Sequence, residues 1–194
     1  MKIKQQKQIK AFLIQAFGPE KGGALFAGQE EILTALVEQV TDPSERRRKT
    51  LIQTILPRIA LYKALVGGGG PTEDAYEHMR TYMLKIVAAQ KHAATARMEQ
   101  MPGVYALYSW AFLKIMVTSD LWESESFRGK DSFGADIRQC LWHTACVENG
   151  CPGLCRLFCD VDDVTYGGLK KMGFSRTKTL GYGGDCCDFR FFKK

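Results

Sequence analysis

The chain has 194 residues, of which 45% are hydrophobic and 25% charged. Those proportions belong to a folded globular protein and exclude a fibrous or wholly disordered one. The length suits one domain with a real core, so residues 1–194 are expected to form a single domain. The formal net charge is +6, supplied mainly by RRRK at 46–49 and the lysines near the N-terminus. Such an excess raises the question of nucleic acid. No zinc-finger spacing, RNP-like segment or phosphate loop accompanies it, so Arg46–Lys49 read as the solvated first turns of a helix and no nucleic-acid partner is expected.

In chain order, the basic start turns briefly apolar and is broken by Gln15. It reads as an amphipathic helix over residues 5–17 rather than an export signal, which points to a cytoplasmic, bacterial-type protein. No window approaches the length of a membrane span, so no membrane association is expected. Helical periodicity over 30–37 ends near Thr41-Asp42-Pro43. Ser44 is placed to cap the next helix, which carries Leu51, Ile52, Ile55 and Leu56 on one side and is kinked or split at Pro57. Gly67–Gly70 and Pro71 stop it, and no lysine and hydroxyl follow in the order a phosphate cradle needs. Thr72 is expected to cap a helix running through Met79, Tyr82 and Met83 toward Ala96.

After Met101-Pro102-Gly103, residues 104–117 are large and apolar or aromatic. They read either as a buried helix or as an aromatic wall beside a small-molecule pocket. A loop then holds Asp120, Trp122 and Glu123. Beyond Asp131 the texture changes. A strand is expected over 132–141, with Phe133, Ala135, Ile137 and Gln139 on one face. Short helices follow over 142–149 and from Pro152 through Phe158. Two strands, 174–180 and 186–192, are joined by a glycine-rich reversal. The fold class is therefore α+β: a mainly helical part, 1–117, packed on a small antiparallel sheet within a Cys/Asp-rich part, 131–194. Helical faces in 50–117 either complete one core or pair two copies as a homodimer.

All seven cysteines lie between 140 and 187. An odd count without an export signal points to reduced thiols rather than a disulfide framework. Three chemistries are open to this region. Zinc could be held by His143, Cys155, Cys159 and Cys187 if the fold gathered them, but no CxxC pair exists and no metal is expected. A thiol activated by a histidine could act as a nucleophile, with His143 the nearby base and His78 and His92 on an ordinary helix. Asp160, Asp162 and Asp163, after an apolar run, could pair with an amidine or activate water, or simply cap a helix end. Arg176 or Arg138 could bind a carboxylate bidentately.

The segments Cys140, Gly150-Cys151-Pro152, Cys159-Asp160-Val161-Asp162, Gly173 through Leu180, and Cys187-Asp188-Phe189-Arg190-Phe191 together resemble the L-2-amino-thiazoline-4-carboxylic acid hydrolase family over the C-terminal half. The resemblance implies hydrolysis of a carbon–nitrogen bond in a small cyclic amidine, opening the ring to an N-carbamoyl-cysteine-like product, with no cofactor and a small molecule as the partner. On that reading Cys159, Asp162, Cys187 and His143 are the catalytic candidates, His143 as proton carrier. Arg176 would bind the substrate carboxylate, with Asp160 and Asp188 as further binding residues. The glycine-rich hairpin followed by Cys-Asp-Phe also resembles the vinyl-reductase-type ligand-binding domain, which implies a sensor that binds without turnover. A third reading, a DNA-binding regulator, would use the basic 46–58 helix.

Overall fold

Hydrophobic periodicity sets the first elements of the computed structural model, which describes residues 3–69 and 71–194. The chain folds as two compact units, Met1–Tyr82 with Ala145–Leu154 and Met83–Thr144 with Cys155–Lys194. In the first unit, α1 (Gln6–Phe17) buries Ile9, Phe12 and Leu13 and packs on α2 (Pro19–Glu38). Gly22 makes that approach possible, because a Cβ there would run into the backbone of Leu13 and Ile14. Ser44 caps α3 (Glu45–Thr50), its Oγ accepting from the Arg47 amide at 3.2 Å. Arg47 pairs with Asp42 at 2.6 Å, and Arg48 donates to the carbonyls of Asp42 and Pro43. These two members of the basic run are thus folded back on the preceding turn.

The expected disturbance at Pro57 takes a definite form. A π-helical stretch, Leu51–Ile55, precedes α4 (Leu56–Gly67). A proline nitrogen cannot donate to the carbonyl four residues back, and the Gln5 side chain donates to that carbonyl, of Gln53, instead. Thr72 does not cap α5 (Thr72–Arg80) but begins it; Pro71 holds the cap position without a side-chain bond. Glu73 and Asp74 in the first turn favour the positive end of this helix. A second π-helical stretch, Thr81–Ala88, and α6 (Ala89–Met98) continue it.

The second unit is built on a sheet. Gly103, at φ +70°, turns the chain into α7 (Val104–Thr118). The expected loop around Trp122 is instead a strand, β1 (Trp122–Arg128), paired antiparallel with β2 (Ser132–Cys140). Its sequence, WESESFR, lacks an apolar alternation because it is an edge strand exposed on most of its length. Among the described residues the sheet is four-stranded and antiparallel, in the order β1-β2-β4-β3, with β3 at Met172–Ser175 and β4 at Cys187–Lys193. Phe133, Ala135 and Ile137 are buried as expected, but Gln139 is exposed. A register shift opposite Glu123/Ser124 reverses the alternation there and turns Cys140 toward the core.

α7 covers one face of the sheet. Tyr105, Tyr108 and Phe112 pack on Phe133 and its cross-strand partner Phe191, whose rings stack 5.0 Å apart. The helix is not buried all round: Trp110 is 55% and Val117 76% exposed. No helix among the described residues is long and apolar enough to cross a membrane.

Two further corrections concern the C-terminal region. The helix begun at Pro152 is a short 3₁₀ turn (Pro152–Leu154) followed by α9 (Cys155–Tyr166), longer than expected. The strand expected over 174–180 ends at Ser175, and residues 176–186 form an irregular strap containing a 3₁₀ turn, Leu180–Tyr182.

Glu99 anchors the start of β3. It is 3% exposed, and its carboxylate accepts from the amides of Lys170, Lys171 and Met172 at 2.8, 2.7 and 3.1 Å. Burial works against its ionisation, but these donors outweigh it and lower its pKa. Glu99→Ala should therefore cost about 3 kcal/mol in urea unfolding at neutral pH, since it orphans buried amides. A depressed carboxylate pKa stabilises above the ordinary Glu value and ceases to as pH falls through the folded value. The gap between variant and wild type should narrow in acid.

Candidate functional site

Helical spacing on α9 creates two adjacent stripes. Cys155, Cys159, Asp162 and Tyr166 recur at intervals of four and three, as do Arg156, Asp160 and Asp163. The aspartates are thus inside the helix, which runs on to the Gly167-Gly168 pair, and not at an unwinding end.

Arg176, the first residue after β3, crosses to this helix. Its side chain is 3% exposed, and its guanidinium lies 5.9 Å from the Phe174 ring centre and 5.4 Å from that of Phe189. Nη2 donates to the Cys159 carbonyl at 3.0 Å and to Asp163 Oδ2 at 2.6 Å. Nη1 stands 3.8 Å from Asp162 Oδ2 and makes no hydrogen bond among the described residues. The interaction therefore ties the end of an edge strand to both stripes of α9 and leaves a buried positive charge beside the Cys159 thiol.

That thiol is the centre of the site. The thiols of Cys155 and Cys187 hydrogen-bond to Cys159, as does the Thr179 hydroxyl, and Arg176 adds its charge. Together these hold the Cys159 pKa well below the usual thiol range, against the opposing effect of burial. Cys187, on β4, is pushed up by its bond to Cys159 and by burial, so it remains the protonated partner. The Leu180 amide lies 3.3 Å from Cys187 Sγ. A Cβ added to Gly181 would sit 2.9 Å from Cys159 Sγ and 3.1 Å from the Arg156 nitrogen. The strap thus lies directly on the two sulfurs, and only glycine fits at 181.

Asp162 is walled in by protein, although 30% of its side-chain surface still meets solvent. Burial pushes its pKa up to about 7, with Lys91 and Arg176 opposing and Cys159 and Asp163 adding to the rise. The hydroxyls of Tyr108 and Tyr166 are hydrogen-bonded to each other, and both feel the Asp162 charge. The aromatic face of α7 therefore both packs the sheet and reaches this carboxyl. Cys140 Sγ accepts from the amides of Trp142 and His143 at the start of α8 (Leu141–Glu148), yet burial raises its pKa to about 11. Among the described residues no group of three or more His, Cys, Asp and Glu side chains is arranged to hold a metal ion.

The structure thus brings together Cys159, Cys187, Asp162 and Arg176. Asp160 stands at the edge, where its Oδ1 accepts from the Tyr182 hydroxyl at 2.9 Å; burial raises its pKa. Asp188 is on the opposite face of β4 from Cys187. Its oxygens accept from the Thr177 amide, the Lys178 amide and the Thr177 hydroxyl at 2.9, 2.8 and 2.7 Å, so it fastens the strap. His143 is half-buried on α8, and among the described residues no hydrogen bond joins its imidazole to Cys159 or Asp162. His78 and His92 are not surface bystanders. His78 packs on Phe17 at 4.5 Å, and His92 Nδ1 lies 3.1 Å from the Thr165 carbonyl. Sequence reasoning did not single out Thr179, Gly181 or the Tyr108–Tyr166 pair. The first two sit in the R-T-x-T-L-G run and carried a signal; the tyrosines, far apart in sequence, did not.

The sequence profile described as L-2-amino-thiazoline-4-carboxylic acid hydrolase matches residues 27–191. The chain belongs to that family. The match reaches well beyond the C-terminal half, so the helices from α2 onward are part of the family's pattern and not an addition to it. A search of curated proteins found no match. The matched span takes in Cys159, the Arg176 guanidinium and the strap.

Gly181→Ala tests the fit of strap on thiol. Displacing the strap by the overlap with Cys159 should lower activity about 100-fold, the scale set by small misplacements of reacting groups. Circular dichroism should show the fold intact.

Proposed function

We propose that this chain opens a small cyclic amidine by hydrolysis, with a ring of the L-2-amino-thiazoline-4-carboxylate kind as substrate and the Cys159 thiolate as nucleophile. The observation that carries the reading is the Cys159 thiol bonded by Cys155, Cys187 and Thr179 with the Arg176 charge near it, all of which lower its pKa, beside a carboxyl whose pKa burial raises to about 7. A thiolate attacks an electron-poor amidine carbon readily, and a carboxyl balanced near neutrality can give a proton and then take one.

The steps balance as follows. Cys159 Sγ adds to the amidine carbon, the ring carbon–sulfur bond breaks, and protonated Asp162 supplies the proton to the departing sulfur. This leaves an isothiourea on Cys159. Asp162, now ionised, takes a proton from water as the water oxygen adds to the same carbon, and the Cys159 thiolate departs. The product gains one water and keeps both nitrogens on the former amidine carbon, which is what an N-carbamoyl product requires. This corrects the bond expected from the resemblance: loss of the ring nitrogen would instead give an S-carbamoyl product. Arg176 holds Asp162 and Asp163 in register with Cys159, and Asp188 keeps the strap in place. The reading needs no proton carrier at His143.

Incubating reduced protein with L-2-amino-thiazoline-4-carboxylate and following it by mass spectrometry should show the gain of one water and a new free thiol on the product. A product with a free amine and no thiol would mean carbon–nitrogen cleavage. No added water would sink the proposal.

Two variants test the roles. Cys159→Ala should abolish turnover, and Asp162→Asn should lower kcat by about 10²–10⁴-fold. The general acid is present below its pKa, so wild-type kcat should fall as pH rises through about 7. That descending limb should disappear in Asp162→Asn.

A further inference from the structure

We infer that Arg156 is the specificity-determining residue that grips the substrate carboxylate at the mouth of the thiol site. This rests on the hydrolase reading above and names the contact that selects a carboxylated ring over a bare one. The expected candidate, Arg176, is poorly placed for that task. It is 3% exposed, its Nη2 already donates to Cys159 O and Asp163, and its Nη1 faces Asp162. Its Nη1, unbonded among the described residues, is buried and already stands 3.8 Å from the Asp162 carboxylate, so a second anion there would crowd a carboxylate of the chain. Lys91 acts on Asp162 from α6, on the side of the carboxyl rather than of the strap.

Arg156 has none of these constraints. It is one turn before Cys159 on α9, so the two side chains leave the helix as neighbours about 5–6 Å apart. It is exposed, and among the described residues no carboxylate lies within ion-pair distance of it. Its guanidinium lies 5.4 Å from the centre of the Tyr182 ring. Tyr182 is itself held by its hydroxyl bond to Asp160 Oδ1, and the preceding Gly181 rests against the Arg156 backbone and the Cys159 sulfur. The ring contact steadies the guanidinium, whose donors no carboxylate of the described residues takes up, and a guanidinium can hold a carboxylate in two parallel hydrogen bonds. A carboxylate on a five-membered ring is only a few bonds from the reacting carbon. A ring whose amidine carbon meets Cys159 therefore carries its carboxylate to the neighbouring side chain.

The test compares two rings, L-2-amino-thiazoline-4-carboxylate and unsubstituted 2-amino-thiazoline, on the full chain. Arg156→Ala should reduce the preference for the carboxylated ring, measured as the ratio of the two kcat/KM values, by about 10- to 100-fold. The change should lie in KM rather than kcat, and Arg156→Lys should restore part of it. An unchanged ratio would overturn the assignment, including one produced by equal losses on both rings. A second readout does not depend on turnover. The carboxylated ring should slow alkylation of Cys159 by iodoacetamide in the wild type and protect far less in Arg156→Ala; equal protection in the two proteins, or none in the wild type, would also overturn it. Failure of the wild type to open either ring would count against the hydrolase reading, while the protection experiment would still decide the role of Arg156.

Discussion

A guanidinium buried against two neighbouring phenylalanine rings organises the candidate site of this protein. Arg176 leaves the sheet where β3 stops and reaches across to α9, where it binds the main chain of Cys159 and the carboxylates one turn later. Placing a full positive charge at 3% exposure is unfavourable unless carboxylates and aromatic faces surround it. Here they do, and the same charge then favours a thiolate next to it. The order of dependence is clear: the sheet fixes Phe174 and Phe189, these and the aspartates fix Arg176, and Arg176 conditions Cys159.

Around that centre, like groups are given unlike roles by their surroundings. Cys159 and Cys187 share a hydrogen bond, yet one is favoured as the anion and the other as the acid. Asp162 and Asp188 are both carboxylates on regular elements. The first has lost much of its solvent without gaining donors to match, so its pKa rises. The second is bonded by two amides and a hydroxyl, so its pKa falls despite burial. Only the first is suited to moving a proton near neutral pH.

Much of this was legible in the sequence where the local signal and the fold agree. Ser44, Pro57 and the glycine stop after α4 each acted locally, and the structure has a cap, a π-helical stretch and a helix end where they stand. β1 was missed because an edge strand facing water has no reason to alternate apolar and polar residues. The helix-end reading of the aspartates, one of the two open to them, fails although three acids after an apolar run look like a solvated terminus. Their partner Arg176, far along the chain, makes a helix interior tolerate them. In the site, Cys159, Asp162, Cys187 and Arg176 came from the motif as a set. The motif could not say which face of β4 Asp188 would take, nor that His143 would stand apart from the thiol. Those facts depend on strand pairing and on where a helix begins.

The strap also carries a kinetic consequence. Cys159 is 8% exposed, with Gly181 lying against its sulfur, so a ring cannot reach the thiol while residues 180–182 rest on α9. On the proposed reading, access to the thiol requires this segment to lift and reseal against the Tyr182–Asp160 hydrogen bond that ties it to α9. Loop movements of this kind run on microsecond-to-millisecond timescales and commonly limit turnover through product escape. On the proposed reading, the contacts that shelter the thiolate from solvent are then the same ones that slow access to it.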